Sequence, residues 1–400
     1  PDKVTSLGSY SFKNCKRISS FKIGSSVAVL GNYMLDGCVS LKEAYIPKSV
    51  VEAEYAFYGS GIESITFEEG IAAIPEAICY NASYLKNVTI PEKEDVVDGY
   101  SIKNYAFQST AITEIKLPES LTSIGTAAFE GCSLLTSVVI PDNVTRINSY
   151  AFKNCKRIAE FKIGKSVEFI DDYVFDGCAS LKEVTIPASI KETGDTFANS
   201  SIESLTFEEG IPYVPAYICR NARYLKNVTL PEKEDTLDGY AIGTAAFEGT
   251  AITSIKLPES LTAINDYAFR NCEGLERLNS TVDGRFDIPS QVTTIGSYAF
   301  YGCTALTEVT GGENLATINQ YAFAECTALE KVAMGTELRT IGNYAFQYCS
   351  NFKSLTLSEN LTSIGSFAFY YCSGFTSNLV IPNSVTTIDS YAFYNCSGFK

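Results

Sequence analysis

The chain has 400 residues with a formal net charge of −15, and 46% of them are hydrophobic. That charge excludes nucleic acid and anionic membrane surfaces as partners, because both repel it and no counterion release is gained. No apolar run of about 18 residues is present, which excludes insertion of this segment into a membrane as a spanning helix. Tyr 25 and Phe 24 beside Trp 0, Met 2 and His 0 point to a few templates copied many times, and they remove the imidazole that a triad or a zinc site would use.

In chain order the copies align on a landmark residue, usually the Phe of an Ala-Phe pair: Phe12, Leu35, Phe57, Ile78, Phe107, Phe129, Phe152, Phe175, Phe197, Ile218, Phe247, Phe269, Phe300, Phe323, Phe346, Phe369 and Phe393. These are 17 copies at intervals of 21 to 24 residues, apart from longer ones of 29, 29 and 31. A clean copy reads Leu135-x-x-Val138-x-Ile140-Pro141-x-x-Val144-x-x-Ile147-x-x-x-Ala151-Phe152-x-x-Cys155. The first part alternates, is β-branched and stops at a proline that cannot donate to a ladder, so it predicts a short half-buried strand. The remainder carries apolar residues three or four apart and predicts a helical or 3₁₀ return. One such unit cannot bury its apolar side alone, whereas stacked units bury a continuous core. The pattern therefore predicts one continuous solenoid over residues 1–400, of about 17 repeats, an α/β repeat with a parallel sheet on its concave face and short helical returns.

A block of six copies, residues 12–129, recurs as 152–269 at an offset of 140, down to Tyr84-Leu-Lys-Asn-Val-Thr-Ile-Pro-Glu-Lys-Glu-Asp95 against Tyr224-Leu-Lys-Asn-Val-Thr-Leu-Pro-Glu-Lys-Glu-Asp235. Neither end reads as a polar cap, so the sequence predicts ends that fall inside a longer array.

Thirteen cysteines suggest disulfides or metal by count. Eleven of them lie three residues after a landmark, among them Cys132, Cys155, Cys178, Cys303, Cys326 and Cys349, and the other copies hold Ser60, Asn81, Thr110, Ser200, Asn221 or Thr250 there. Such a slot asks for a small hydrogen-bonding side chain beside the backbone. Translation-related side chains point the same way, which disfavours the disulfide torsion, so the thiols are expected free and buried. With no His and no Cys-x-x-Cys pair, neither metal nor cofactor is expected.

The pattern Leu-x-x-Ile-x-Ile-Pro-x-x-Val-x-x-Ile-Gly-x-x-Ala-Phe-x-x-Cys resembles the BspA-like leucine-rich repeats, most clearly at Ile381–Phe393 and Leu361–Cys372. The resemblance spans the chain. It implies a leucine-rich-repeat solenoid, a secreted or cell-surface location, and adhesion to host matrix proteins or other cells. It brings no catalytic residues.

Three surfaces are candidates for binding. The outward positions of the strands include Lys116, Lys162 and Lys256, with the acidic Glu43, Glu114, Glu160, Glu183 and Glu308 placed to pair across strands; a merely soluble sheet face is the plainer reading. Tyrosines two residues before the landmark, including Tyr298, Tyr321, Tyr344 and Tyr391, should align as a stripe, either as packing or as anchors for protein or sugar. The long intervals carry Glu92 to Asp95 with Asp98, Glu232 to Asp235 with Asp238, and an extra loop over Asn279 to Asp287. They lack the pattern of a calcium loop. The sequence thus predicts a monomeric, non-catalytic extracellular module with a protein partner. Alternatives are a structural spacer that displays another domain, or carbohydrate recognition through the tyrosine stripe.

Overall fold

Most Leu-x-x-Ile-x-Ile segments turn their alternate apolar residues to one side, and pairing with neighbouring copies satisfies their backbone. In a computed structural model, which describes residues 3–94, 99–232 and 239–399, these segments build a parallel β-solenoid of about sixteen turns. Its contacts fall into two compact units, Pro1–Ile202 and Glu203–Lys400.

In the first unit Glu43–Ile46, Ser64–Phe67 and Asn87–Thr89 form a parallel sheet in which Ile65 stands between Ala44 and Val88. Alternation is strict in Glu43–Ile46, with Ala44 and Ile46 buried and Glu43 and Tyr45 exposed. A second row of strands, not anticipated from the pattern, is made by the Val-x-x-Ile part of each copy. It runs in order through Ser101–Ile102, Ser123–Ile124, Arg146–Ile147, Phe169–Ile170 and Glu192–Thr193. The second unit repeats the plan with a six-stranded first row and a seven-stranded second row.

The returns are turns, and no helix occurs among the described residues. This corrects the expected helical or 3₁₀ return, and the backbone shows why. In the copy around Phe300, Tyr298, Phe300 and Gly302 donate their N–H groups to the next turn, at Gln320, Ala322 and Ala324, over 2.9, 2.7 and 3.0 Å. The intervening Ala299, Tyr301 and Cys303 donate within the turn, to Gly296, Tyr298 and Phe300. A helix keeps all its N–H groups to itself. Sharing alternate ones with a neighbour requires left-handed residues, and these fall two before and two after the landmark: Tyr298 at φ 58° and Gly302 at φ 72°.

The landmarks form the core. Phe269, Phe300, Phe323, Phe346 and Phe369 are fully buried and stack at ring separations of 5.1 to 5.4 Å. Two landmarks shift by one residue from the sequence alignment. The N–H of Cys79 donates to Ala106, just as that of Phe107 donates to Ala128, so Cys79 and not Ile78 holds the landmark position; Cys219, which donates to Ala246, likewise replaces Ile218. That turn has exchanged volumes: Ile78 stands where others have Ala, Cys79 where they have Phe, and Phe67 where Ile46 stands one strand earlier. Phe67 packs edge-on against Phe107 at 6.3 Å, supplying the ring that Cys79 lacks.

The 31-residue interval holds more than a loop. Arg285–Ile288 is an additional strand of the first row, with Phe286 buried and paired to Leu278 on one side and Val309 on the other. The second row has no matching addition, since Ile264 pairs directly with Ile295.

Candidate functional site

The repeat produces three columns of side chains, each fixed by its place in the turn. In the cysteine column the thiol donates to the carbonyl oxygen of the landmark one turn back. Cys155 reaches Phe129 at 3.1 Å, and Cys178, Cys303, Cys326 and Cys349 reach Phe152, Phe269, Phe300 and Phe323 at 3.2 Å. Cys132 lies 3.2 Å from both the Phe107 carbonyl and the Thr110 hydroxyl. Where a hydroxyl takes the slot it turns inward instead: Ser60 and Thr110 donate to Phe57 and Phe107 of their own turn at 2.8 and 2.9 Å. The longer C–S bond spans the gap between turns that a hydroxyl does not. With the landmark moved to Cys79 and Cys219, the slot in those turns holds Ala82 and Ala222 rather than Asn81 and Asn221, and it carries no side-chain donor. Burial raises the Cys132 thiol to about 11 and those of Cys178 and Cys326 to about 12, well away from nucleophilic chemistry.

The tyrosine column runs along the returns. Tyr298 stacks on Tyr267 at 5.1 Å and on Tyr321 at 4.6 Å; Tyr321 stacks on Tyr344 at 4.5 Å, with ring planes 3° apart. Phe367 separates Tyr344 from Tyr391, 4.8 Å from each. Both faces of Tyr298, Tyr321 and Tyr344 are therefore covered by neighbouring rings, and what these residues present outward is an edge. Burial, and then the neighbouring Tyr298 and Tyr344 hydroxyls, raise the Tyr321 hydroxyl above its usual range. Every one of these rings stands on a left-handed residue, Tyr321 at φ 56° and Tyr344 at φ 59°. Tyrosine gives no sequence signal for that conformation. The glycines and asparagines four residues later, such as Asn271 and Gly302, are the signal that marks the turn.

The third column is the outward face of the first strand row. Lys162 is exposed at the end of Glu160–Lys162, in register with the exposed Val139. Lys116 is exposed on a segment that forms no strand, and Lys256 pairs with Glu232 at 2.7 Å. Lys256 also lines a shallow groove with Asn227, Thr229, Ser254, Arg277 and Asn279. Val139 fills the same slot in the turn between Lys116 and Lys162, so these two lysines do not meet. Cross-strand pairing does occur: Lys331 binds its register partner Glu308 at 2.6 Å. In the long intervals the Glu92 carboxylate accepts the backbone N–H groups of Glu119 and Ser120, both at 3.0 Å, and so caps the next turn. Asp95, Asp98, Asp235 and Asp238 lie outside the described residues.

Parallel strands stacked once per turn, an apolar core of landmark rings, and a carbonyl-bonded slot closing most returns define a leucine-rich-repeat solenoid. The chain belongs to the BspA-type leucine-rich-repeat family, whose model matches residues 1–101, 100–218, 194–283 and 284–400. Solved structures similar to it include a leucine-rich repeat protein from Bacteroides ovatus, 28% identical over 70% of this chain and 82% of that one, with a TM-score of 0.45. Others are a leucine-rich cell surface protein from Faecalibacterium prausnitzii (25% identity, 75% and 81% coverage, TM-score 0.41) and a leucine-rich repeat protein from Eubacterium ventriosum (24%, 76% and 87%, 0.42). No curated protein matches the chain.

Proposed function

We propose that this chain is a non-catalytic interaction module of the cell surface, which binds protein on host or microbial surfaces through the outward face of its first strand row. One observation carries the reading: along that row the buried positions stay aliphatic or aromatic, while the outward slot, most often threonine, also takes Tyr, Lys and Val. Ala44, Ile65, Val138, Phe161 and Val184 are buried, and beside them Tyr45, Val139, Lys162 and Thr185 are exposed. A rigid frame with a freely varied face is what recognition of a folded partner uses. Repeat frames also separate stability from binding, so an outward residue can change at little cost to the fold.

The test is binding of the chain to immobilised matrix proteins and to intact cells. Saturable binding that weakens at least tenfold with Lys162→Glu and Tyr45→Ser together supports the reading. Binding that survives both changes contradicts the assignment to this face.

A further inference from the structure

The second left-handed position of each return, two residues after the landmark, is filled in most turns by what its backbone asks for: six glycines and seven asparagines, from Asn14 to Asn395. Three consecutive turns depart from this with large side chains, Glu325 at φ 60°, Tyr348 at φ 60° and Tyr371 at φ 61°. A bulky L-residue in this region is strained, and strain of this kind persists where the surroundings or the function require it. Burial does not require it here, because Tyr348 is 42% and Tyr371 40% exposed.

Their arrangement differs from that of the inner tyrosine column. Tyr348 and Tyr371 lie 5.6 Å apart with planes inclined at 46°, so neither covers the other's face. Tyr370 stands near perpendicular to both, 4.5 Å from Tyr371 and 5.8 Å from Tyr348, and Tyr394 lies 5.9 Å from Tyr371 at 55°. One turn earlier in the same column Glu325 holds the hydroxyl of Tyr301, which burial and this contact together raise to about 12. Two partly exposed tyrosine rings, inclined rather than stacked, and a carboxylate therefore follow one another, one per turn.

We infer that Glu325, Tyr348 and Tyr371 form a binding site for an uncharged polysaccharide. Aromatic faces stack on the C–H faces of pyranose rings, and a carboxylate accepts sugar hydroxyls. A linear glycan offers the same unit at a fixed interval, which suits groups presented once per turn, whereas the surface of a folded protein has no such period. A carboxylate in the row disfavours acidic glycans. This site is separate from the strand face proposed for protein binding, and either can fail without the other.

The experiment is affinity electrophoresis of the whole chain in native gels cast with soluble neutral polysaccharides, a mixed-linkage β-glucan, a glycogen and a galactomannan, with polygalacturonate as the charged control. Tyr348→Asn with Tyr371→Gly installs residues that other turns already use, so this variant keeps or gains thermal stability. The expected result is retardation of the wild-type chain by at least one neutral polysaccharide, an apparent affinity at least tenfold lower for the double variant, and a Tm unchanged or higher. Migration unretarded in every neutral gel overturns the inference. So does a double variant that is still retarded, or one whose Tm falls, which would make the tyrosines structural. If the double variant instead loses binding to matrix proteins while no gel retards the wild type, the patch serves a protein and the glycan site is refuted.

Discussion

The Cys349 thiol donates to the carbonyl oxygen of Phe323, 26 residues back, at 3.2 Å, while the backbone N–H of Cys326 binds the same oxygen at 3.3 Å. One acceptor thus ties a turn to itself and to the next. Removing the donor with Cys349→Ala leaves a small void and a carbonyl with one partner fewer, and should cost about 2 kcal/mol. Cys349→Ser should cost less than half of that, because a hydroxyl can turn inward as Ser60 does. Urea titration of the two variants checks the order, and a serine variant as unstable as the alanine one would contradict it.

The pH dependence follows from the same column. Burial raises Cys132, Cys178, Cys272 and Cys326 to between about 11 and about 12, above the ordinary range near 8.5 that a thiol has in the unfolded chain. The folded state therefore holds these protons longer than the unfolded state. Their contribution to stability is complete below about pH 8.5 and is lost as pH rises through about 11 to 12. Thermal melts between pH 7 and 11 should show Tm falling steadily above pH 9. Thiol labelling of the native chain at pH 8 should be fast at the exposed Cys15 and slow at the buried positions.

The exchanged turn predicts strong non-additivity. Cys79→Phe alone forces a ring into space that Phe67 and Ile78 already fill, and should destabilise by about 2 kcal/mol. Adding Phe67→Ile and Ile78→Ala restores the arrangement of the other turns, and should bring stability back to within about 1 kcal/mol of the wild type. Additive losses across the three changes would refute the assignment of Cys79 as the landmark.

Left-handed tyrosines give a third comparison. Tyr321→Ala removes two stacks and keeps the backbone cost, so it should lose about 2 kcal/mol. Tyr321→Gly removes the same stacks and relieves the backbone, and should lose about 1 kcal/mol less. Replacing Tyr298, Tyr321 and Tyr344 together tests what the column is for. Loss of cooperative unfolding means packing, whereas a folded variant that no longer adheres means binding.

Much of this was legible in the sequence because burial and period are directly encoded. The landmark phenylalanines, the proline that ends a strand at Pro141 and the spacing of Cys132, Cys155 and Cys178 each place a residue in the turn. The helical return was misread because Val144, Ile147, Ala151 and Phe152 have helix-like spacing, while the left-handed Tyr150 that forbids a helix carries no propensity signal. Asn154, four residues on, did carry one. The shifted landmark was hidden by the Ile78–Cys79 exchange, which keeps the volume of an Ala-Phe pair but not its order. The second strand row was missed because two paired residues per turn, such as Ser123–Ile124, are too short to show alternation. The outer tyrosines Tyr348 and Tyr371 stand out only once their neighbours in the column are known to be Gly and Asn.

The central claim is that a fixed frame carries a variable face that binds protein. It is tested most directly by replacing Tyr45, Lys116, Lys162 and Lys256 together with threonine, the residue most common in that slot, and measuring Tm and binding to immobilised matrix proteins side by side. The account predicts a Tm within about 2 °C of the wild type and a loss of binding of at least tenfold. Unchanged binding by a well-folded variant would contradict it.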